Sequence, residues 1–515
     1  DWILVGPGDY HENADETGHS GDPSHGGFGG VLVTKPDIHI RGMNRNSVVV
    51  DGTKAGSPQC SSKASDQDLG VVDDGGPMGR NGIVVYRSNG DSVQNLTVCN
   101  FLAGSYDSGN EIWWNGGADT GVIGLHDYQG SYLTATSTYY GGEATAAQYG
   151  IFSSDWSGGV WDRTYTSNFN DSGYYIGACQ QVCDQTLDQG WSQFNALGYS
   201  GTNSGGQLVI ENSQFDHNED GFDTNSQNNS DWPSPQDGAC PNGGISPITH
   251  THSCWVFMHN YVHDNNNPNV PSAGAAAAGP VGTGMSISGG RDDTVMDNTF
   301  KNNGAWGTIF VPYPDTETPP SNVPDPCAGG VSAPGNVCNY DDWGNALIGN
   351  TYTHNGFFGN PTNGDFAEVT TTPAHPINCF KGNTDTSGKL TSSPSNLQST
   401  NAQCGKTALL PDANPMFTSQ VLCDSMFEGP QTPCPPGAKY PRRTAVDMQP
   451  LPTSQLASMP NPCAGVPANP WCAAAGHHKH HKKHHKKHHK HHKRHKHKSR
   501  DPDHDGDRDG PGHRG

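Results

Sequence analysis

Charge is scarce in this chain: Asp, Glu, Lys and Arg together make up 16% of its 515 residues. No run of about 18 apolar residues occurs, so no helix of this sequence is built to cross a membrane. The CxxC knuckles of structural zinc sites are missing as well. Position 1 is Asp rather than Met and no signal-peptide pattern precedes the first strand, so a processed N-terminus is expected. What is abundant is turn chemistry. Sixty-seven Gly and 38 Pro, with many Asn, Asp, Ser and Thr, describe a turn-rich β protein with few helices.

The 14 cysteines are even in number, and most have a close neighbour. Cys179 with Cys183, Cys240 with Cys254, Cys327 with Cys338, Cys423 with Cys434 and Cys463 with Cys472 read as loop-stapling disulfides. Such staples imply an oxidising, secreted setting. Charge is unevenly spread: residues 477–515 hold 13 of the 29 Lys and Arg but only 5 of the 51 acids, leaving the rest more acidic than the overall −22. So acidic a body argues against nucleic-acid binding by the folded part and suits calcium or cationic partners better.

The organising stretch is 208–226, LVIENSQFDHNEDGFDTNS. Leu208 and Ile210 alternate as one side of a strand, the chain turns at Asn212-Ser213, Phe215 returns inward, a second turn follows, and Phe222 re-enters the core. Related units occupy 160–176, 186–199, 254–265, 294–310 and 346–357. Phe169, Phe194 and Phe215 are spaced by 25 and 21 positions, within the range of solenoid repeats. The economical reading is an all-β parallel β-helix with long loops, its turn asparagines stacked in ladders along the axis. In that reading Phe169, Phe194, Phe215 and Phe300 stack inside. The solenoid is expected over 1–358, a Pro/Cys-rich irregular extension packed along it as a cover over 359–476, and a disordered tail over 477–515.

The opening PGDY turn, the short strands that follow it and the VVVDG end at 48–52 resemble the first coils of secreted right-handed parallel β-helix proteins of the pectin-lyase-like superfamily. Asn218-Glu219-Asp220-Gly221-Phe222-Asp223 resembles the NTDG(I/F)D motif of that superfamily's polygalacturonase-type hydrolases. Gln236 to Cys240 (QDGAC) is similar to its QDDC segment, and Gly282 to Ile287 (GTGMSI) to its GHGxSIG segment. Gly238 replaces the second Asp, Thr283 replaces the His, and no RIK segment follows. The resemblance implies catalysis by Asp220, Asp223 and Asp237, with Arg291 of GGRDD as the basic residue. Asn, Asp and Gly also recur at the turns of any β-helix for backbone reasons.

Other candidates come from composition. Trp113 and Trp114, in a stretch rich in Tyr, offer ring faces for sugar stacking, or else pack on the solenoid flank. His217 and His263, read as equivalent turn positions, are candidates for substrate binding or proton transfer. Asp501, Asp503 and Asp505 precede Gly506 as in a DxDxDG calcium loop, and Asp507 follows, but the closing Glu is replaced by Gly512. Two function classes follow. One is a monomeric extracellular enzyme acting on acidic polysaccharide, either a hydrolase or a calcium-dependent lyase. The other is a non-catalytic, wall-binding solenoid.

The His/Lys run 477–498 cannot bury a core, yet its neutral imidazoles suit Zn, Ni or Cu. Calorimetric titration with Zn²⁺ or Ni²⁺ is expected to show binding by the full chain that weakens below about pH 6, as imidazoles protonate, and is lost when the chain ends at residue 476. Equal metal uptake by the shortened chain would place the ligands elsewhere.

Overall fold

The computed structural model describes residues 1–12, 29–73, 75–105, 108–117, 123–228, 233–317, 325, 327–335, 337–424, 434, 436–452 and 456–472. The run 477–498 and Asp501, Asp503, Asp505 and Asp507 lie outside the described residues. The chain divides into two compact units, 1–464 and 465–515. In the second, the Asn469 side chain closes a turn by accepting the N–H groups of Trp471 and Cys472 at 2.8 and 2.9 Å.

The first unit is a parallel β-helix. Three sheets, each with eleven described strands, run the length of the solenoid, and successive coils pair in parallel within each sheet. One coil shows the plan. Ser204–Glu211 lies in the first sheet, Gln214–Asp216 in the second and Asp223–Asn225 in the third. Their partners on the next coil are Trp255–Met258, Tyr261–His263 and Thr283–Ser288. Leu208, Ile210, Phe215 and Phe222 are fully buried, as their alternation implied.

The corners hold the coils in register. Between the second and third sheets Phe194, His217, Asp264, Asn302 and His354 occupy equivalent left-handed positions, with φ of 54–59°. The asparagine after each joins a ladder, Asn195 to Asn218 to Asn265 to Asn303 to Asn355, with amide-to-amide distances of 3.0–3.3 Å. A second ladder at the preceding corner links Asn260, Asn298, Asn350 and Asn383. Each of these side chains also accepts from a backbone N–H and, in most rungs, donates to a carbonyl of the preceding coil, so the buried backbone groups at these rungs find partners.

This corner geometry corrects the expected phenylalanine stack. Along the inward row of the second sheet the register runs Thr166, Ser192, Phe215, Val262, Phe300, Tyr352. Phe215 and Phe300 therefore share one column, and Phe169 is buried at a corner. Phe194 is not inside. It takes the left-handed turn position and packs on His217, ring centroids 5.3 Å apart, while Ser192 fills the inward place.

The winding also continues past residue 358. Gly364–Glu368, Cys379–Lys381, Thr384–Asp385 and Ser392–Ser393 add strands to the three sheets, Asn383 extends the second ladder, and Asn378 pairs with Asn345 at the remaining corner. These strands are short and polar, which hides their periodicity in the sequence. Beyond them the helix Pro415–Asp424 places Phe417 against Trp306. The chain then runs back as a strap. Lys439 N–H donates to Asn360 Oδ1, Gln449 pairs with Asn168, and Arg45 and Arg41 donate to the carbonyls of Ala457 and Ala464 beside the first coils. The irregular segment thus begins only after residue 393 and lies along the coils.

Disulfides join Cys179–Cys183, Cys240–Cys254, Cys327–Cys338 and Cys423–Cys434 as the spacing implied, and also Cys60–Cys99 and Cys379–Cys404. Cys463 and Cys472 are disulfide-bonded too. No helix among the described residues is long and apolar enough to cross a membrane.

Replacing Asn298 by Ala removes the acceptor of the Asn260 backbone N–H and the donor to Phe257 O. Both groups are buried, so urea unfolding is expected to show a loss of about 1–3 kcal/mol. An unchanged midpoint would mean that the ladder is decorative.

Candidate active site on the third sheet

The outward face of the third sheet is where chemistry-bearing side chains gather. One register row crosses the coils as Trp113, Phe152, Tyr175, Ser200, Asp223 and Ser286. The row one turn earlier holds Ser172, Leu197, Asp220 and Thr283. Loops that include Glu143, Ala273 to Ala276 and Glu317 wall a groove of about 420 Å³ over the middle coils, and Tyr149, Asp171, Tyr175, Ser200, Thr202, Asp223, Asn225 and Gln227 line it.

Two of the expected carboxyls meet here. Ser286 Oγ lies 3.1 Å from Asp220 Oδ2 and within hydrogen-bond distance of Asp223 Oδ1, which Ser288 Oγ also approaches at 3.1 Å. A hydroxyl carries one hydrogen, so Ser286 cannot donate to both carboxyls. The arrangement is satisfied when Asp220 keeps its proton and donates to Ser286, which in turn donates to Asp223. Burial supports that order. Asp220 is fully buried, and desolvation, then the nearby Asp223, push its pKa well above the ordinary carboxyl range. Asp223 reaches the groove, and burial raises it to about 7 against the pull of the two serine hydroxyls.

A carboxyl that the sequence reading missed stands in the same groove. Asp171 accepts the Tyr149 hydroxyl at 2.9 Å, and burial, with a smaller contribution from Asp223, lifts it to about 7. The signal was present in Asn168 to Tyr175 (NFNDSGYY), an aligned unit whose Asp171 stands one position before the register equivalent of Asp220, the acid that precedes Gly221. That glycine has a separate cause. A side chain at Gly198 would meet Gly221 O at 2.3 Å, and one at Gly221 would meet Gly284 O at 2.5 Å, so the Gly of Asp220-Gly221 answers to the packing of coils and not to chemistry.

Asp237 and Arg291 are brought together, but elsewhere. They are register partners in a row with Gly205 and Trp343 that belongs to the first sheet, not to the strand of Asp223. The Arg291 guanidinium sits 3.6 Å from the centroid of Trp343 and donates to Gly329 O. QDGAC lies in the long connection between Asn225 and Trp255, where Asp237 makes an isolated bridge to the first-sheet side and not to the strand of Asp223. Trp114 lies in the core, and Trp113 is 5% exposed and stacked on Phe152 at 5.1 Å. Neither presents a ring to sugar; the aromatic lining of the groove is Tyr149 and Tyr175.

His217 and His263 are neighbours, ring centroids 6.3 Å apart, yet they are not equivalent: His263 is the register partner of Asp216. His217 Nδ1 lies 2.5 Å from Asp216 Oδ2, and that bond raises its pKa above the ordinary imidazole value. Both belong to the second-sheet side, away from the groove residues. Among the described residues the groups whose ligand atoms lie within 4.8 Å of one another are Asp9, His11 and Asp51, and Asp51, Cys60 and Cys99. The sulfurs of the second set are committed to a disulfide, and neither set borders the groove.

No family model matches the sequence, and no curated protein does. Among solved structures the chain is similar to the A-module of the Azotobacter vinelandii mannuronan C-5 epimerase AlgE4, at 10% identity and a TM-score of 0.39 over 76% of this chain and 87% of that one. An alginate lyase from Paenibacillus sp. str. FPU-7 matches at 12% identity and 0.33, covering 76% and 90%. The tailspike protein of E. coli bacteriophage HK620, in complex with a pentasaccharide, matches at 11% and 0.39, covering 76% and 61%. The functions of those proteins do not transfer at such values.

The raised carboxyls carry a sign. Between about pH 4 and pH 7 folded Asp171 and Asp223 hold protons that the unfolded chain releases, so they make stability fall as pH rises through that window and level off above it. The Asp171→Asn/Asp223→Asn variant is expected to show a smaller drop in urea midpoint from pH 5 to pH 8 than the parent chain. An equal or larger drop would mean that these groups ionise normally.

Proposed function

We propose that this is a secreted protein that binds a polysaccharide along the third-sheet groove and hydrolyses it, with Asp171 and Asp223 as the working acid and base. The observation that carries the reading is the pair of groove-lining carboxyls both held near pH 7. Glycoside hydrolysis asks for one protonated and one ionised carboxyl at neutral pH, and groups poised there can exchange those roles. Asp220 acts through Ser286 as a positioning residue, fixing the hydroxyl that orients Asp223. Tyr149 orients Asp171 and, with Tyr175, gives the sugar ring an apolar face to rest on.

The lyase reading loses support, because Arg291 is stacked on Trp343 and is not a groove residue. Disulfides throughout the described cysteines favour the extracellular setting.

On a polysaccharide found by screening, Asp223→Asn is expected to lower turnover roughly 10²-fold or more while binding and the thermal midpoint persist. Asp237→Asn is expected to leave turnover unchanged. Full turnover by Asp223→Asn would move the site, and binding without turnover by the parent chain would favour the wall-binding solenoid.

A further inference from the structure

We infer that the glycan taken by this groove is uncharged, and that polyuronates and sulfated glycans are excluded. The inference rests on the reading of the groove as a glycan site and concerns which glycan it selects.

The first argument is charge. Among the described residues four carboxyl side chains line the groove, Glu143, Asp171, Asp223 and Glu317, and no Lys, Arg or His does. The loops before residue 472 that are not described contribute no Lys or Arg, and the remaining 13 Lys and Arg all lie in 477–515. Arg443 approaches one edge, 3.9 Å from the largely exposed Glu143. A polyuronate brings a carboxylate on every sugar ring. Seating it here sets those charges beside like charges with no basic side chain in the described lining to neutralise them, and each close pair costs roughly tenfold or more in affinity in a partly dehydrated groove.

The second argument is that calcium bridging, the usual escape from such repulsion, lacks ligands. Among the described residues no three groove acids bring their oxygens within 4.8 Å of one another. Asp223 Oδ1 is moreover engaged by two serine hydroxyls and one Asp171 oxygen by Tyr149.

The third argument is what remains. Ser200, Thr202, Asn225 and Gln227 give the floor neutral donors and acceptors, and Tyr149 and Tyr175 give it rings. Hydroxyl groups and the apolar faces of neutral sugars are what such a surface can satisfy without an ion.

The test compares one polyuronate before and after methyl esterification, which keeps the backbone and removes the charge, beside a panel of neutral glucans, mannans and galactans. Binding is measured by affinity electrophoresis and calorimetry at pH 8, with and without calcium and at low and high salt, on the full chain and on the chain ending at residue 476, whose affinities report the groove without the 13 Lys and Arg of 477–515. Esterification is expected to raise affinity at least tenfold, with the gap shrinking at high salt. Glu143→Gln/Glu317→Gln is expected to narrow the same gap. A free polyuronate that binds as tightly as its ester, with or without calcium, overturns the inference while leaving the glycan site standing. Failure of every neutral and acidic glycan to bind overturns the glycan reading, and this inference with it.

Discussion

Everything in this protein depends on one constraint: each coil must lie directly on the last, at the strand spacing of about 4.8 Å, with its buried turns fully hydrogen-bonded. The asparagine ladders meet that demand. An Asn side chain carries both a donor and an acceptor, so a stack of them can bond to one another and to the backbone of the coil beneath. The left-handed residue before each ladder position turns the chain sharply enough for the next strand to begin in register. Where a backbone must pass close to the coil above, only glycine fits, as at Gly198, Gly221 and Gly284.

Once the coils are in register, the outward faces become columns, and a column can collect residues that are far apart in sequence. Tyr175, Ser200, Asp223 and Ser286 are neighbours for that reason alone. The sheet positions the chemistry rigidly, and the loops decide how dry it is. The Ala273 to Ala276 loop lies over Leu197, where a side chain at Gly279 would also meet Asp220 Cβ at 3.2 Å. Asp220 is buried under that cover while Asp223, three residues on, reaches the groove. Two carboxyls on one strand therefore divide into a proton-keeping support and a working group.

The acidity of the folded part gains a physical meaning from the same geometry. Several carboxyls outside the groove are also buried and pushed far up, among them Glu219, Asp293 and Glu368. Burial favours the neutral form of such groups, so the formal charge overstates the field that the folded body projects. The first coils use the opposite sign to hold the strap. Buried Arg41 and Arg45 spend their donors on carbonyls of residues 457–464 and on neighbouring coils, tying the strap to the first coils.

By itself the sequence determined the winding, because inward alternation, turn asparagines and closely spaced cysteines are local patterns that a solenoid repeats. Leu208, Ile210, Phe215 and Phe222 were legible as core, and Asp220 and Asp223 as a pair worth attention. Four of the expected cysteine pairs were legible for the same local reason, whereas Cys60–Cys99 and Cys379–Cys404 close longer loops. Register between coils was not legible, because the connections differ in length, and a shift of one residue moves a side chain to the other face or to a turn. Only the tertiary structure put Phe194 at a corner, sent Asp237 and Arg291 to another sheet, buried Trp113 and Trp114, and carried the coils past residue 358. It alone set Asp171 in the groove with Asp223, since two acids separated by an intervening coil become neighbours only when the coils are stacked.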